Sequence, residues 1–393
     1  MSTSSPSWSA THPWLTFKLD LSRAPLQAWL LAGEAISKCD HVSGAALGPE
    51  VAAELMKVYL AKGAMATTAI EGNTLTEDEV RRRIDGKLSL PPSKEYLGIE
   101  IDNIVAASNE VLNRCRRGAL PPLSVELIKR FNRQVLQSLT LEQHIRPGEL
   151  RTYPVGVADY RGAPFRALAE LLDQFCRWLA APWIQPMDAY EEVQRRRLEG
   201  VLKAIVAHVY LAWIHPFGDG NGRTARLVEF YLLVNAGVPF PAAHLLSNHY
   251  NETRAEYYRQ LSYTSKSGGD LLRFCMYAMR GFVDQLRQQI EVIQKQQLEL
   301  FWRNYVHEAL GDSETGRRRR YLVEDLSTAG RPVPKDKLTE LSTRVLRHYV
   351  GKHDKTLSRD LDKLEKLRLL TRQPDGYVAN TQLVLSYLPL SHP

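Results

Sequence analysis

The stretch Ile214-His-Pro-Phe-Gly-Asp-Gly-Asn-Gly-Arg-Thr-Ala-Arg226 is the most informative part of this sequence of 393 residues. The apolar run over residues 191–214 predicts a long helix that ends here, because Pro216 cannot continue it. Three alternating glycines permit a tight loop whose backbone amides converge on one point. A new helix predicted from about residue 223 places that loop at a helix N-terminus, where the amides and the helix dipole favour an anion.

The polar side chains of this loop predict a phosphate site with a metal ion. Arg223 and Arg226 are three residues apart and fall on one helix face, and their guanidinium groups suit phosphate oxygens. Asp219 offers a hard carboxylate oxygen for Mg²⁺, which takes one or two protein carboxylates together with substrate phosphates. His215 can titrate near neutrality and could accept a proton from an incoming hydroxyl group.

Three other interpretations of the loop explain less of it. An EF-hand loop beginning at Asp219 requires a glutamate at its twelfth position, where this chain has Phe230. A purely structural glycine turn leaves the histidine and the two arginines unexplained. A conventional kinase is disfavoured, because the sequence has neither a Walker A loop nor a kinase-type glycine-rich loop.

Residues 215–226 resemble the full signature of the Fic family of nucleotide transferases, His-Pro-Phe-x-(Asp/Glu)-Gly-Asn-Gly-Arg-x-x-Arg, without a departure. With the flanking helices, the resemblance covers roughly residues 95–300. It implies an enzyme that transfers AMP from Mg²⁺-bound ATP to a Ser, Thr or Tyr hydroxyl of a protein and releases pyrophosphate. The acceptor could be the chain itself. The cysteine usage and the lack of a signal-peptide pattern predict a cytoplasmic location.

The same resemblance implies a role for each residue of the signature. The implied site consists of His215 as the base, Asp219 as the Mg²⁺ ligand, Gly220, Asn221 and Gly222 as an anion hole, Arg223 for the β-phosphate and Arg226 for the γ-phosphate.

Two flanking segments fit this site. Val155, Gly156 and Val157 lie in a predicted β-hairpin, which would be the flap that holds the target segment by strand addition. An ordinary surface hairpin would have the same sequence pattern. Tyr257 and Tyr258 resemble the tyrosines that cover the adenine in the family, although paired aromatic residues on a helix are also typical of a core.

The segment Thr67-Thr-Ala-Ile-Glu-Gly-Asn73 resembles the inhibitory motif of many Fic proteins, (Ser/Thr)-x-x-x-Glu-(Gly/Asn). If its helix packs beside the loop, the Glu71 carboxylate can pair with Arg226 and take the place of the γ-phosphate. Thr67 would help to fix that helix. A solvated glutamate at a helix end would match the same short pattern.

The predicted architecture is mainly α: a Fic-type helical bundle with a small β-hairpin flap, followed by a C-terminal winged helix-turn-helix domain. The predicted segments are 1–94 with the inhibitory helix, 95–305 as the catalytic core and 306–393 as the winged helix. Residues 358–370 would be a recognition helix, and the arginine run 317–320 could contact phosphates. Acidic residues interleave with these basic ones, so an interaction or structural role is favoured over DNA binding.

The composition is that of a folded globular protein. The chain is 44% hydrophobic and 24% charged with a net charge of +7, which suits a polyanionic ligand. Its four cysteines form no Cys-x-x-Cys pair, so a disulfide framework or a zinc site is not expected. The Ser- and Thr-rich opening segment, to about Pro13, has no signal-peptide pattern and predicts a flexible tail. No stretch predicts a membrane span.

Two other functions remain open from the sequence. The same fold could remove AMP from a modified protein, with Glu71 orienting a water molecule, or it could use another nucleotide. Alternatively, the chain could be a transcription regulator whose winged helix binds DNA while the Fic part senses a nucleotide. A homodimer is a family-level expectation. The sequence does not identify the target protein.

Overall fold

Helices dominate the fold, because apolar residues recur at helical spacing and capping residues precede several helices. Thr76 and Glu79 form a capping box at the start of one helix. At another, the Ser124 hydroxyl accepts a hydrogen bond from the backbone amide of Leu127 at 3.2 Å. These caps satisfy amides that have no partner inside their own helix.

The computed structural model describes residues 8–157, 160–184 and 189–387. The chain divides into two units, Met1–Glu291 and Val292–Pro393, and each contains its own apolar core. The predicted division of the sequence into three segments stays a prediction, because compact packing does not by itself delimit a domain.

The first unit is a helical bundle, and the predicted mainly α fold is confirmed. Its helices are α1 (Leu26–Gly44), α2 (Pro49–Ala69), α3 (Glu77–Ile84), α4 (Glu95–Arg116), α5 (Val125–Val135), α6 (Leu168–Ala180), α7 (Ala189–Ile214), α8 (Asn221–Asn235), α9 (Phe240–Ala243), α10 (Leu245–Glu252), α11 (Arg254–Lys266) and the start of α12 (Leu272–Leu310). The antiparallel helices α7 and α8 pack along each other and carry the loop of interest between them. The sequence predicted one helix from about residue 251, but α10 and α11 separate at Thr253, whose backbone leaves the helical region at ψ +36°.

A short hairpin precedes α6. Strand β1 (Gly156–Val157) pairs antiparallel with β2 (Tyr160–Arg161). The sequence places the turn at residues 159–162, but Tyr160 and Arg161 form β2, and residues 158 and 159 lie outside the described residues. This hairpin is the small β element expected among the helices.

Residues 8–13 of the opening segment pack on the hairpin, where the composition predicts a flexible tail, and the earlier part of the segment lies outside the described residues. Trp8 is 3% exposed, and Nε2 of His12 lies 3.0 Å from the carbonyl oxygen of Arg161. The indole N–H of Trp14 donates a hydrogen bond to the Tyr160 hydroxyl at 3.3 Å. The segment therefore packs on β2, and the partners that bury it lie almost 150 residues away in the sequence.

The second unit contains helices followed by a hairpin. Its elements are α13 (Glu314–Ala329), α14 (Thr343–Tyr349), α15 (Asp354–Lys366), β3 (Leu370–Gln373) and β4 (Gly376–Ala379). Val333 adds a single antiparallel bridge to Tyr377. This order agrees with the winged helix-turn-helix, which stays an interpretation of the unit. Among the helices that the structure describes, none has the length and apolar character needed to cross a membrane.

Candidate active site

The loop between α7 and α8 is closed by its own side chains. The backbone amide of Phe217 donates to Oδ1 of Asn221, and Nδ2 of Asn221 donates back to the Phe217 carbonyl, both at 2.9 Å. Phe217 is 1% exposed, so its ring anchors the loop in the core. His215 and Gly220 have positive φ angles of 50° and 73°, which turn the chain at each end of the loop.

Helix α5 supports the loop through the hydrogen bonds of Asn132. The side-chain amide of Asn132 donates to the Asp219 carbonyl at 2.9 Å, and Oδ1 accepts from the Gly148 amide at 2.8 Å. A Cβ atom at Gly220 would lie 3.0 Å from the Leu136 side chain. The close approach of α5 and the left-handed φ angle both explain the glycine at this position.

Asp219 and Arg223 lie side by side at the start of α8. The Asp219 side chain is 41% exposed, and its Oδ1 atom is 3.5 Å from Nη2 of Arg223. Arg223 is only 5% exposed and donates through Nη1 to Oε1 of Glu100, on α4, at 2.7 Å. Glu100 also accepts a hydrogen bond from Nδ2 of Asn73 at 2.9 Å. The arginine predicted for the β-phosphate is therefore held in place by α4.

Arg226 is occupied by the segment predicted to be inhibitory. Its Nη2 atom donates to Oε1 of Glu71 at 2.5 Å and to the backbone carbonyl of Thr67 at 2.9 Å. Arg226 is 1% exposed. The sequence places Glu71 on the inhibitory helix. In the structure, helix α2 ends at Ala69, so Glu71 lies in the turn that follows the helix. The turn continues through Gly72, whose φ angle is +105°.

The Glu71 carboxylate lies directly against the N-terminus of α8. A Cβ atom at Gly222 would be 2.0 Å from Oε1 of Glu71, so a larger residue at this position would displace the carboxylate. Burial opposes the ionisation of Glu71, but Arg226 and Arg223 outweigh it and lower the pKa of this carboxyl group. An anion thus occupies a helix N-terminus that is suited to phosphate.

His215 is in the form that a base requires. Desolvation by the surrounding protein, with a smaller contribution from the positive charge of Arg151, lowers the pKa of His215 to about 4. The imidazole is therefore neutral at pH 7 and can accept a proton. At the base of the hairpin, a Cβ atom at Gly162 would lie 2.9 Å from Cβ of His215. The structure thus brings the hairpin beside the imidazole.

The remaining predicted residues have different environments. Tyr257 is 4% exposed, and its hydroxyl lies 2.8 Å from Nε2 of the buried His208. Tyr258 is 44% exposed, and its hydroxyl donates to the Ile70 carbonyl at 3.3 Å, next to the inhibitory turn. Of the pair, Tyr258 has the face that an adenine could cover. The flap and adenine roles stay predictions, and the side chain of Val157 lies outside the described residues.

Sequence analysis missed three side chains that hold the loop. Asn132, Glu100 and Arg151 lie on other segments, and each contacts the loop across a long stretch of sequence. The position of Asn132 could have indicated its role, because it is a fully buried amide on the apolar face of α5. The other two contacts have no sequence pattern.

Comparisons with known proteins agree with this geometry. Residues 122–233 match the Fic/DOC family. Protein adenylyltransferase fic-1 of Caenorhabditis briggsae is 29% identical over 223 residues, covering 54% of this chain and 38% of that protein. Protein adenylyltransferase Fic of Drosophila erecta is 31% identical over 186 residues, covering 44% of this chain and 32% of that protein. The chain therefore spans less than two fifths of either relative.

Two solved structures share the fold. A Fic family protein from Desulfovibrio desulfuricans G20 superposes with a TM-score of 0.57 at 18% identity, covering 91% of this chain and 96% of that one. A Fic domain containing signaling protein from Bacteroides thetaiotaomicron gives a TM-score of 0.52 at 18% identity, covering 67% and 98%. At such identities the likeness establishes the fold alone. Together with the match of residues 122–233 to the Fic/DOC family, it shows that this part of the chain is a Fic domain.

Proposed function

We propose that this chain is a self-inhibited protein adenylyltransferase, which transfers AMP from Mg²⁺-bound ATP to a Ser, Thr or Tyr hydroxyl of a protein. One arrangement carries the proposal: the neutral His215 lies at one end of a loop whose other end gathers Arg223 and Arg226 at a helix N-terminus. The names of the two relatives support the class of reaction.

Asp219 fits the role of the Mg²⁺ ligand. Its carboxylate is 41% exposed beside the loop amides, so an ion can reach it. One carboxylate completed by phosphate oxygens and water is an ordinary ligand set for Mg²⁺. When bound, the ion would neutralise charge on the phosphates.

Different residues of the chain have different roles in the transfer of AMP. A ring nitrogen of His215 accepts the proton of the acceptor hydroxyl while its oxygen bonds to the α-phosphorus. The bond from the α-phosphorus to the bridging oxygen of the β-phosphate breaks, so AMP stays on the acceptor and pyrophosphate leaves. Arg223, Arg226 and the amides of residues 220–222 stabilise the charge on the phosphates.

The partner that Arg226 has in the structure supports self-inhibition. Glu71 holds this guanidinium group at 2.5 Å and covers Gly222, so a γ-phosphate would lack both its cation and its space. ATP bound in this state would have a misplaced triphosphate, and the α-phosphorus would not be aligned for attack.

Labelling with α-³²P-ATP and Mg²⁺ tests the proposal. The proteins to compare are the wild type, Glu71→Gly and Glu71→Gly/His215→Ala, each alone and with cell lysate as a source of acceptors. We expect label on protein with Glu71→Gly, little with the wild type and none with the double variant. Equal labelling of the wild type and Glu71→Gly would refute self-inhibition, and labelling that survives His215→Ala would refute the assigned base.

The absence of label on every protein would favour the alternatives. The AMP-labelled target of another transferase would then serve to test AMP removal by the wild type. A gel shift at increasing salt would test the DNA-binding regulator. That reading has limited support, because Arg318 and Arg319 both donate to Asp360 at 2.7 Å and so are used within the second unit.

A further inference from the structure

Arg151 joins the loop to the base of the hairpin through its guanidinium group. Its Nε atom donates to the carbonyl oxygen of His215 at 2.7 Å, and Nη2 donates to that of Ala163 at 2.5 Å. Its Nη1 atom donates to the carbonyl oxygen of Tyr153 at 2.8 Å, and its backbone amide donates to that of Pro216 at 3.1 Å. A single residue thus fixes several stretches of backbone around the imidazole.

The environment of this arginine is unusual. Arg151 is 4% exposed, and within the described residues its side-chain partners are neutral carbonyl oxygens and include no carboxylate. Burial without a counter-ion lowers the pKa of Arg151. A buried charge costs free energy unless its donors are satisfied, and the planar guanidinium fork can satisfy several carbonyls at once.

The backbone that Arg151 holds is strained. His215 has a φ angle of 50°, in the left-handed region that residues with a Cβ atom disfavour. On the other side, a Cβ atom at Gly162 would lie 2.9 Å from Cβ of His215 and 3.0 Å from Nη2 of Arg151. The backbone conformation of His215 is therefore constrained by the close packing of Gly162 and by the hydrogen bonds that Arg151 donates.

We propose that Arg151 is the positioning residue for His215, because its guanidinium group locks the strained backbone that presents the imidazole and ties it to the hairpin beside it. This inference rests on the proposed function, in which His215 is the base. Arg151 touches neither the acceptor nor the nucleotide. Its loss should therefore misplace the base and leave the phosphate site, built by α8, α5 and α4, in place.

Variants in the Glu71→Gly background test this role. Arg151→Ala removes the fork, and Arg151→Lys keeps the charge with a single ammonium group that cannot reach all the carbonyls. Arg83→Ala is the matched control, since Arg83 belongs to the same unit but pairs with the carboxylates of Glu95 and Asp102. The measurements are kcat for labelling, the Kd of ATP, the Tm and the titration of the His215 ring by NMR.

We expect kcat to fall by about 100-fold in both Arg151 variants, the usual effect of a misplacement of about 1 Å, with little change in the Kd of ATP. Dilute guanidinium chloride should restore part of the activity of Arg151→Ala. The His215 ring should titrate at higher pH in Arg151→Ala, because a neighbouring positive charge has been removed. Arg83→Ala should change none of these readouts.

An unchanged kcat in both variants would overturn the inference. So would a parallel loss of kcat, ATP affinity and Tm that guanidinium does not rescue, since that pattern describes a purely structural arginine. If the Glu71→Gly parent itself transfers no label, the proposed function fails first. The NMR experiment still decides the role of Arg151 in that case, because His215 resonances that do not differ between the parent and Arg151→Lys would refute positioning.

Discussion

His215 shows how burial sets the chemistry of a single residue. A histidine in water is half protonated near pH 6.5, but here its pKa lies at about 4. The base is in its active, neutral form above that pKa and is lost as the pH falls through it. The Glu71 carboxylate raises the pKa of His215. Its removal in the Glu71→Gly variant should therefore not shift the protonation of His215 to higher pH.

For Glu71→Gly we therefore expect kcat/KM to stay nearly constant from about pH 8 down to about pH 5, because this parameter reports ionisations of the free enzyme. The measurement is the initial rate of labelling at low ATP across that range, with Glu71→Gly/His215→Ala as the blank. A half-maximal rate near pH 6.5 would show that the base has an ordinary pKa and would contradict this assignment.

Arg226 is a buried cation that depends on Glu71 for its counter-charge. The substitution Glu71→Gln keeps the size of the side chain and removes the charge, so Arg226 should lose about 1–3 kcal/mol of stabilisation, allowing for the partial exposure of Glu71. ATP can restore a negative charge there through its γ-phosphate. We expect ATP to raise the Tm of Glu71→Gln more than that of the wild type.

AMP provides the control for this thermal-shift experiment, because it lacks the γ-phosphate that Arg226 is predicted to bind. Equal stabilisation by AMP and ATP, or a larger ATP effect in the wild type, would argue against a shared site for Glu71 and the γ-phosphate.

The loop residues were predictable from the sequence because they lie within twelve consecutive positions and their chemistry is local. The supports were not predictable in the same way. Arg151 contacts carbonyl oxygens, which every residue has, and Glu100 meets Arg223 only after α4 packs beside α8. Contacts of this kind follow from the tertiary fold and leave no spacing in the sequence.

Among the elements, α2 controls where Glu71 lies, and its packing depends on one glycine. A Cβ atom at Gly63 would lie 2.2 Å from Nδ1 of His244, so the helix lies directly against that ring. Gly63→Ala should push α2 away from His244 and move Glu71 off Arg226. We expect labelling by Gly63→Ala to rise toward the level of Glu71→Gly.

The double variant Gly63→Ala/His244→Ala should return to the low wild-type rate, because the smaller residue at 244 gives the new methyl group its space. Gly33→Ala is the matched control, since a Cβ atom at Gly33 has no neighbour within 4 Å. Equal labelling by Gly63→Ala and Gly33→Ala, with helicity retained, would show that this contact does not set the position of Glu71.

The extents of the elements were largely predictable, and the exceptions have physical causes. Helix α7 ends at Ile214, where the sequence predicts its end before Pro216. Residues 8–13 were misjudged because the Ser and Thr residues of the opening segment resemble a linker, whereas Trp8 and His12 are buried and Trp14 is partly buried by partners that the sequence does not place nearby. Long-range burial overrides local composition there.

At the scale of the whole molecule, the chain contains two separate apolar cores, and a buried ion pair sits in the second. Asp360 is 1% exposed and accepts hydrogen bonds from Arg318, Arg319 and the Tyr349 hydroxyl. Asp360→Ala would leave the buried Arg318 without a counter-ion, at a cost of about 3–5 kcal/mol. We expect faster amide hydrogen exchange in α13 and α15, with α7 and α8 unchanged.

The exposed turn residue Asp375 supplies the control, as Asp375→Ala should leave the exchange of these helices as in the wild type. If amide hydrogen exchange in α13 and α15 is the same in Asp360→Ala as in Asp375→Ala, the ion pair of Asp360 with Arg318 does not stabilise this unit. The sequence left open whether the arginine run over residues 317–320 contacts phosphates, and only the fold revealed that two of its arginines are used internally.

The contact between Glu71 and Gly222 also couples the evolution of two positions that are far apart in the sequence. As long as a descendant of this chain keeps the glutamate, any side chain at 222 displaces the carboxylate from its present position, so a change of the glycine would disturb the contact with Arg226. A lineage that loses Glu71 is released from this steric constraint, and only phosphate binding then preserves the glycine. Residue 222 should therefore change only in lineages where residue 71 has changed first.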